Sequence, residues 1–315
     1  MSESVVLAVD LGGSTMKGAV ITERGVTVAS ETRATPELDI VDSLIDLLHA
    51  LVKTASNLGY SVIAVGVVTP GIVDEENGIV LYASNLNWRD VPLLEILSAR
   101  FDFPVAVGHD VRAAGLAEKL LGAAQGADDF VLVPIGTGVA AALVTTGRII
   151  TGASGAAGEF GHIPVVPDGE LCMCGQRGCL EVYVSGAGLA RRYAARGAGK
   201  LSSEGIVSRL GTDQVADEVW HDAVQVLAQG LAILTLLLDP TVIVLGGGLA
   251  QAGNVLLDPV KAELASGLGW RNAPDVLLSG LGSEAGQIGA AILAYQAAGR
   301  RSVCEGWPAR SVLAD

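Results

Sequence analysis

Three of the chain's four cysteines, Cys172, Cys174 and Cys179, fall within eight positions of the stretch LCMCGQRGCLE, and His162 lies ten residues before the first of them. Thiols spaced C-x-C-x4-C with one imidazole make a Cys3His set, which has the donor types and number of a closed tetrahedral Zn2+ site. Gly175 and Gly178 let the loop curl around such an ion. A redox C-x-x-C pair is absent, so the reading is a structural metal clip. If one ring nitrogen of His162 binds metal, the other is forced to carry its proton and can donate it.

Polar groups suited to a sugar flank that clip. Glu159 stands three residues before His162 in GEFGHIPV, Glu181 follows Cys179 by two, and Asn85 lies in LYASNLNW. Carboxylates accept from vicinal hydroxyls, while imidazoles and amides donate to them. Each residue alone is explained by solvation or a local turn bond; the set together points to a polyol. In GHDVRAAG, Asp110 comes directly after an apolar strand and before a helix. It can take the proton of a hydroxyl attacking phosphorus, or serve simply as the helix N-cap.

Glycine turns supply a second theme. DLGGSTMKG sets Asp10 at a strand end, followed by Gly12, Gly13, Ser14, Thr15 and then Lys17, and Gly136, Thr137 and Gly138 form a similar turn later. Such turns let backbone N–H groups approach phosphate, with hydroxyls as extra donors and Asp10 able to hold Mg2+ through water. An ordinary tight hairpin is the competing reading. Gly246 and Gly247 end another strand where a helix begins, a place suited to a nucleoside or phosphate or to a plain turn.

The elements that must carry these residues are legible in outline. Alternation from Ser4 onward predicts hairpins, Ile40 to Leu58 a helix, VIAVGVV a strand covered on both faces, and PVAVG the strand before Asp110. A helix from Val111 to Leu121 leads into DFVLVPIGTGVAAALVTTGRII, a second set of β segments turning at glycines. The plan has started over, which marks a weak internal duplication of α/β halves. Helices are expected around Ala187 to Ala195, Ala216 to Leu238 and Ala285 to Ala298, and residues 301–315 as a frayed tail in which Cys304 has no partner.

The whole composition narrows the classes. With Lys+Arg 20 against Asp+Glu 34 the formal charge is −14, which offers no basic stripe for nucleic acid. Few cysteines and an acidic, strand-forming N-terminus fit a reducing cytoplasm. The run LAILTLLLDPTVIVLGGG is broken at Asp239 and Pro240, so no membrane span is expected there.

DLGGSTMKG, VGVVTPGIVD, NLNW, GTGV, GASGAAGEFGHIPV, CMCGQRGCLE, IVLGGG and GSEAGQIGAA, in that order from Val5 to about Ala298, resemble the ROK family of sugar kinases within the actin-like, sugar kinase and Hsp70 superfamily. The resemblance implies an α/β fold of two ribonuclease H-like domains with a ligand cleft between them. The boundaries expected are 1–110, completed by a helix at about 285–300, and 111–284 with the zinc segment 162–181. It also implies ATP with Mg2+, a structural Zn2+ and a homo-oligomer, dimer or tetramer, active in carbohydrate metabolism, in glycolysis for a glucokinase type. Asp110 would be the base on the 6-hydroxyl of a hexose, with glucose first. Asn85, Glu159, His162 and Glu181 would hold the ring and Pro70 and Gly71 would close on it. Asp10, the two glycine turns and Lys17 would serve the phosphates, and Gly246 with Gly247 the adenosine.

Two departures stand out. The family usually carries Asn-Asp where this chain has His109-Asp110, and another Asn at Arg112; His109 is therefore expected at the sugar. Ala140 and Ala141 replace glycines after the second turn. The alternatives are an N-acetylhexosamine kinase, a non-catalytic sugar sensor, and polyphosphate in place of ATP. Repressors of the family carry an N-terminal helix-turn-helix, which is not expected to fit before Val5.

Overall fold

The Val-rich alternation at the start folds as three consecutive antiparallel strands, β1 (Ser4–Leu11), β2 (Thr15–Thr22) and β3 (Thr27–Ala34), in a computed structural model that describes residues 3–309. Helix α1 (Ile40–Asn57) buries Leu44, Leu47, Leu48 and Leu51, the i, i+3, i+4, i+7 stripe of an amphipathic helix. The chain continues through β4 (Ser61–Thr69), β5 (Ile72–Asp74), β6 (Ile79–Ala83), β7 (Trp88–Val91), α2 (Leu93–Ser98), β8 (Val105–His109) and α3 (Asp110–Leu121). Strands β4 and β8 pair parallel to β1, which gives the order β3-β2-β1-β4-β8, while β5, β6 and β7 form a small separate sheet.

A second set repeats this order. β9 (Phe130–Pro134), β10 (Ala142–Thr145) and β11 (Arg148–Ile149) are antiparallel, and α4 (Leu180–Val184), α5 (Gly186–Ala195), α6 (Ser203–Val207) and α7 (Gln214–Leu238) precede β12 (Val242–Gly246). After α8 (Asn254–Gly267), β13 (Asp275–Leu278) closes the sheet β11-β10-β9-β12-β13, with β9, β12 and β13 parallel. The duplication read from the glycine turns is thus a duplication of topology. Helices α9 (Ala285–Ala297) and α10 (Arg301–Glu305) follow.

The chain divides into two units. One holds the chain up to Gln125, Thr151–Ala157 and the described residues from Glu284 on; the other holds Gly126–Ile150 and Gly158–Ser283. In the first, α9 packs on β1, β4, β8 and α3. Gly66 of β4 makes this possible, since a Cβ there would fall 2.0 Å from the Ala290 carbonyl oxygen. In the second, α7 is the central helix, burying Val219, Trp220, Ala223, Leu227 and Leu231 among others.

Two expectations need correction. The described part of the tail is not frayed: α10 buries Cys304, and Trp307 donates its indole N–H to the Glu23 carbonyl at 2.9 Å and lies edge-on to Tyr295. Asp110 is not the N-cap of α3. That place belongs to His109, whose Nδ1 accepts the Arg112 N–H at 3.3 Å, and Asp110 opens the helix itself. Helix α7 starts upstream of the run broken at Asp239; its 25 residues would be long and apolar enough to cross a membrane by length and composition alone, and half of its most apolar window is buried inside the protein.

Candidate active site

In the first unit the predicted residues gather at the C-terminal ends of β1, β4 and β8, where parallel strands present their last side chains. Asp10, near the end of β1, is cross-strand partner to Lys17 of β2, and the turn Gly12 to Thr15 closes with Gly12 N–H donating to the Thr15 carbonyl at 2.8 Å. Asn85 lies against Gly13, whose missing Cβ would sit 3.0 Å from the Asn85 Cβ. Pro70 and Gly71 link β4 to β5.

Asp10 and Asp110 face each other electrostatically. Burial, reinforced by the Asp110 charge and opposed by Lys17, raises the Asp10 carboxyl to about 6. Burial likewise raises Asp110 to about 6, against the Val111 N–H bond to its Oδ1 at 2.6 Å and the nearby Arg112 charge. Two carboxyls poised this way suit a proton acceptor beside a cation site. His109 behaves oppositely: burial first, then Arg112, lower it to about 4, against the Glu75 charge. Its ring is neutral near pH 7, so the 3.4 Å approach of Nδ1 to Asp110 is a contact between a lone pair and a carboxylate, not an ion pair.

The second unit carries the remaining predicted residues. Phe160, buried against α7 near Gly230, pins the short turn that carries Glu159 and His162. Glu181, on α4, accepts the Val139 N–H at 2.9 Å, so a predicted sugar carboxylate is bonded to the residue that follows the glycine turn Gly136–Thr137–Gly138. Gly161 donates to the Val139 carbonyl at 3.1 Å from the other side. Gly246 and Gly247 end β12 beside that turn: Ile135 N–H donates to the Gly246 carbonyl, and Gly247, at φ 76°, would drive a Cβ to 2.4 Å from the Ile135 oxygen. Ala141 is buried, and its N–H donates to the Gly158 carbonyl at 2.8 Å.

The metal ligands also converge. The donor atoms of His162, Cys172, Cys174 and Cys179 all lie within 4.8 Å of one another. Cys172 Sγ is 3.8 Å from His162 Nδ1 and Cys174 Sγ is 3.7 Å from Cys179 Sγ, close to the edge of about 3.8 Å that four ligands at about 2.3 Å describe around a tetrahedral ion. The cluster is compatible with structural zinc. It is His162 Nδ1 that lies toward the Cys172 sulfur.

Sequence reasoning missed some participants. Gly286, in the first turn of α9, lies beside Asp10, where a Cβ would come within 2.9 Å of Oδ2. GSEAGQIGAA contains it, and its spacing gave no hint of a carboxylate partner. Glu75 joins both His109 and Arg112 through contacts far apart in sequence.

The ROK family model matches residues 6–297. The chain belongs to the ROK family. Among curated ROK relatives, the glucokinase of Streptomyces coelicolor is 33% identical over 93% of this chain and 98% of its own length. The solved ROK glucokinase of Streptomyces griseus, in complex with glucose and AMPPNP, is 34% identical, with TM-score 0.81 over 93% of this chain and 99% of that one. The family also includes regulators: the xylose repressor of Bacillus subtilis is 27% identical over 90% of this chain and 75% of its own length. The fold is the actin-like ATPase fold of these ROK glucokinases.

Proposed function

We propose that this ROK protein is an ATP-dependent hexose 6-kinase of glucokinase type, with Asp110 as general base. The observation that carries the reading is the match, over nearly the full length of both chains, to a glucokinase solved with glucose and an ATP analogue. The sugar's 6-hydroxyl gives its proton to Asp110 as its oxygen attacks the terminal phosphorus, and the bond from phosphorus to the bridging oxygen of the leaving ADP breaks. Glu159, Glu181 and the amide of Asn85 bind ring hydroxyls, and the proton on His162 Nε2 is donated to another. Backbone N–H groups of the turns at Gly12–Thr15 and Gly136–Gly138 take phosphate oxygens, and Gly246 and Gly247 leave room for the adenosine. Mg2+, held through Asp10, would neutralise phosphate charge.

Structural Zn2+ on His162, Cys172, Cys174 and Cys179 is part of the same proposal. Its role is to fix the His162 ring, not to touch the sugar.

The bond from Val139 to Glu181 makes one substitution informative. A Cβ at Gly138 would lie 2.7 Å from Glu181 Oε2 and push the carboxylate off its N–H donor. Gly138→Ala is expected to weaken glucose binding about 10-fold, the worth of one charge-assisted hydrogen bond, with the fold intact. Calorimetric titration with glucose checks it.

A panel of glucose, mannose, N-acetylglucosamine and N-acetylmannosamine, read by ADP release, tests the substrate. Glucose is expected to lead in kcat/KM, whereas preference for an N-acetyl sugar would move the assignment to an N-acetylhexosamine kinase. Hexose binding without ADP release or polyphosphate consumption would instead favour a sensor, the reading that the similarity to ROK repressors keeps in view.

A further inference from the structure

Arg112 is a deeply buried cation of the first unit, 2% exposed on the first turn of α3. Its Nε donates to Glu75 Oε1 at 3.0 Å, Nη1 to the Gly155 carbonyl at 3.0 Å and Nη2 to the Val73 carbonyl at 3.1 Å. The same Glu75 oxygen accepts the His109 N–H at 2.8 Å, and the Arg112 N–H donates to His109 Nδ1. The guanidinium therefore ties the start of α3, which carries Asp110, to Val73 and Glu75 and to the segment Thr151–Ala157, and Glu75 extends the tie to His109 at the end of β8. Only a planar fork with several fixed donors can do this, and a lysine cannot.

We propose that Arg112, paired with Glu75, is a positioning residue for phosphoryl transfer, holding the His109–Asp110 pair in one setting and anchoring the segment that runs on to Glu159. This rests on Asp110 being the base. The clamp also fixes the imidazole: Nδ1 accepts, so Nε2 carries the proton and His109 presents a donor only. Asp110 then has one defined neighbour of each kind, the Asp10 carboxylate of β1, the neutral ring of His109 and the cation of Arg112.

The test uses the full chain as Arg112→Ala, Arg112→Lys and Glu75→Gln. Arg112→Ala is expected to lower kcat on the order of 100-fold, the effect of a displacement of about 1 Å at a reacting group, with the KM for ATP changed less than about twofold. Added methylguanidinium should restore part of the loss, Arg112→Lys should recover little, and the acid limb of kcat/KM should move to higher pH as the cation beside Asp110 is lost. Unchanged kcat in folded Arg112→Ala would overturn the proposal. Should Arg112→Ala not fold, Glu75→Gln, which keeps the arginine's bonds to Val73 and Gly155, carries the same readouts with a smaller loss of about 10-fold.

Hydrogen exchange of residues 151–157 reads the clamp without turnover. Faster exchange in either variant supports it, and unchanged exchange in both overturns it. If Asp110→Asn turns over normally while exchange in the Arg112 and Glu75 variants rises, the base assignment fails and the clamp stands.

Discussion

Asp110→Asn is expected to reduce kcat about 1,000-fold while glucose affinity stays within about threefold, because asparagine keeps the shape and the helix start but cannot take a proton. Coupled ADP release and calorimetry measure the two quantities. The pH profile follows from the same residue. As the proposed base Asp110 would work as an anion, and its carboxyl is raised to about 6, so kcat/KM should be level above about pH 7 and fall roughly tenfold per unit well below 6. Asp10, raised to about 6 partly by Asp110, titrates with it, and the acid limb reports the pair.

Stability runs the other way. Between about pH 4 and 6 the folded protein holds protons on these carboxyls that the unfolded chain has released, so their contribution to stability falls as pH rises through that window. His109, lowered to about 4, has the opposite sign: the unfolded chain binds its proton between about 4 and 6.5, so its contribution rises with pH there. The informative quantity is the difference between the wild type and Asp110→Asn. The variant should gain melting temperature relative to wild type at pH 7 and not at pH 4.

The second large effect concerns the proposed metal clip. Cys179 is fully buried, with its sulfur 3.7 Å from Cys174, and serine there offers a harder, shorter donor. Cys179→Ser is expected to drop bound zinc from one equivalent to a small fraction and to raise the glucose KM by 10- to 100-fold through the released His162 ring, with the KM for ATP much less affected. Metal analysis of the purified variant, with sugar titration alongside, checks both parts. Glucose binding at wild-type strength by a zinc-free variant would detach the clip from the sugar site.

Much of this was readable in the chain because the signals are local. Asp10 with Gly12 and Gly13, and Gly136 with Gly138, announce turns by residue type, and Leu44, Leu47, Leu48 and Leu51 announce a helix by period. The cysteine cluster is likewise contained in eight positions. Illegible were the pairings across long separations. Glu181 meets Val139 across 42 residues, and Arg112 meets Glu75 across 37 and Gly155 across 43. No periodicity encodes such pairs, since they arise only once the strands are ordered. The end of the chain misled for another reason. RRSVCEGWPAR looks polar by composition, yet Trp307 packs against Gly25 in the hairpin and Cys304 is buried, so the short helix is held in place.

Glucose 6-phosphate formed per ADP released, by the purified protein with glucose, ATP and Mg2+ and with phosphorus NMR locating the new ester, is the most direct measurement. A ratio of one with the phosphate on the 6-hydroxyl, abolished in Asp110→Asn, is the predicted result. Tight glucose binding with no sugar phosphate formed, or an ester at another hydroxyl, would contradict it.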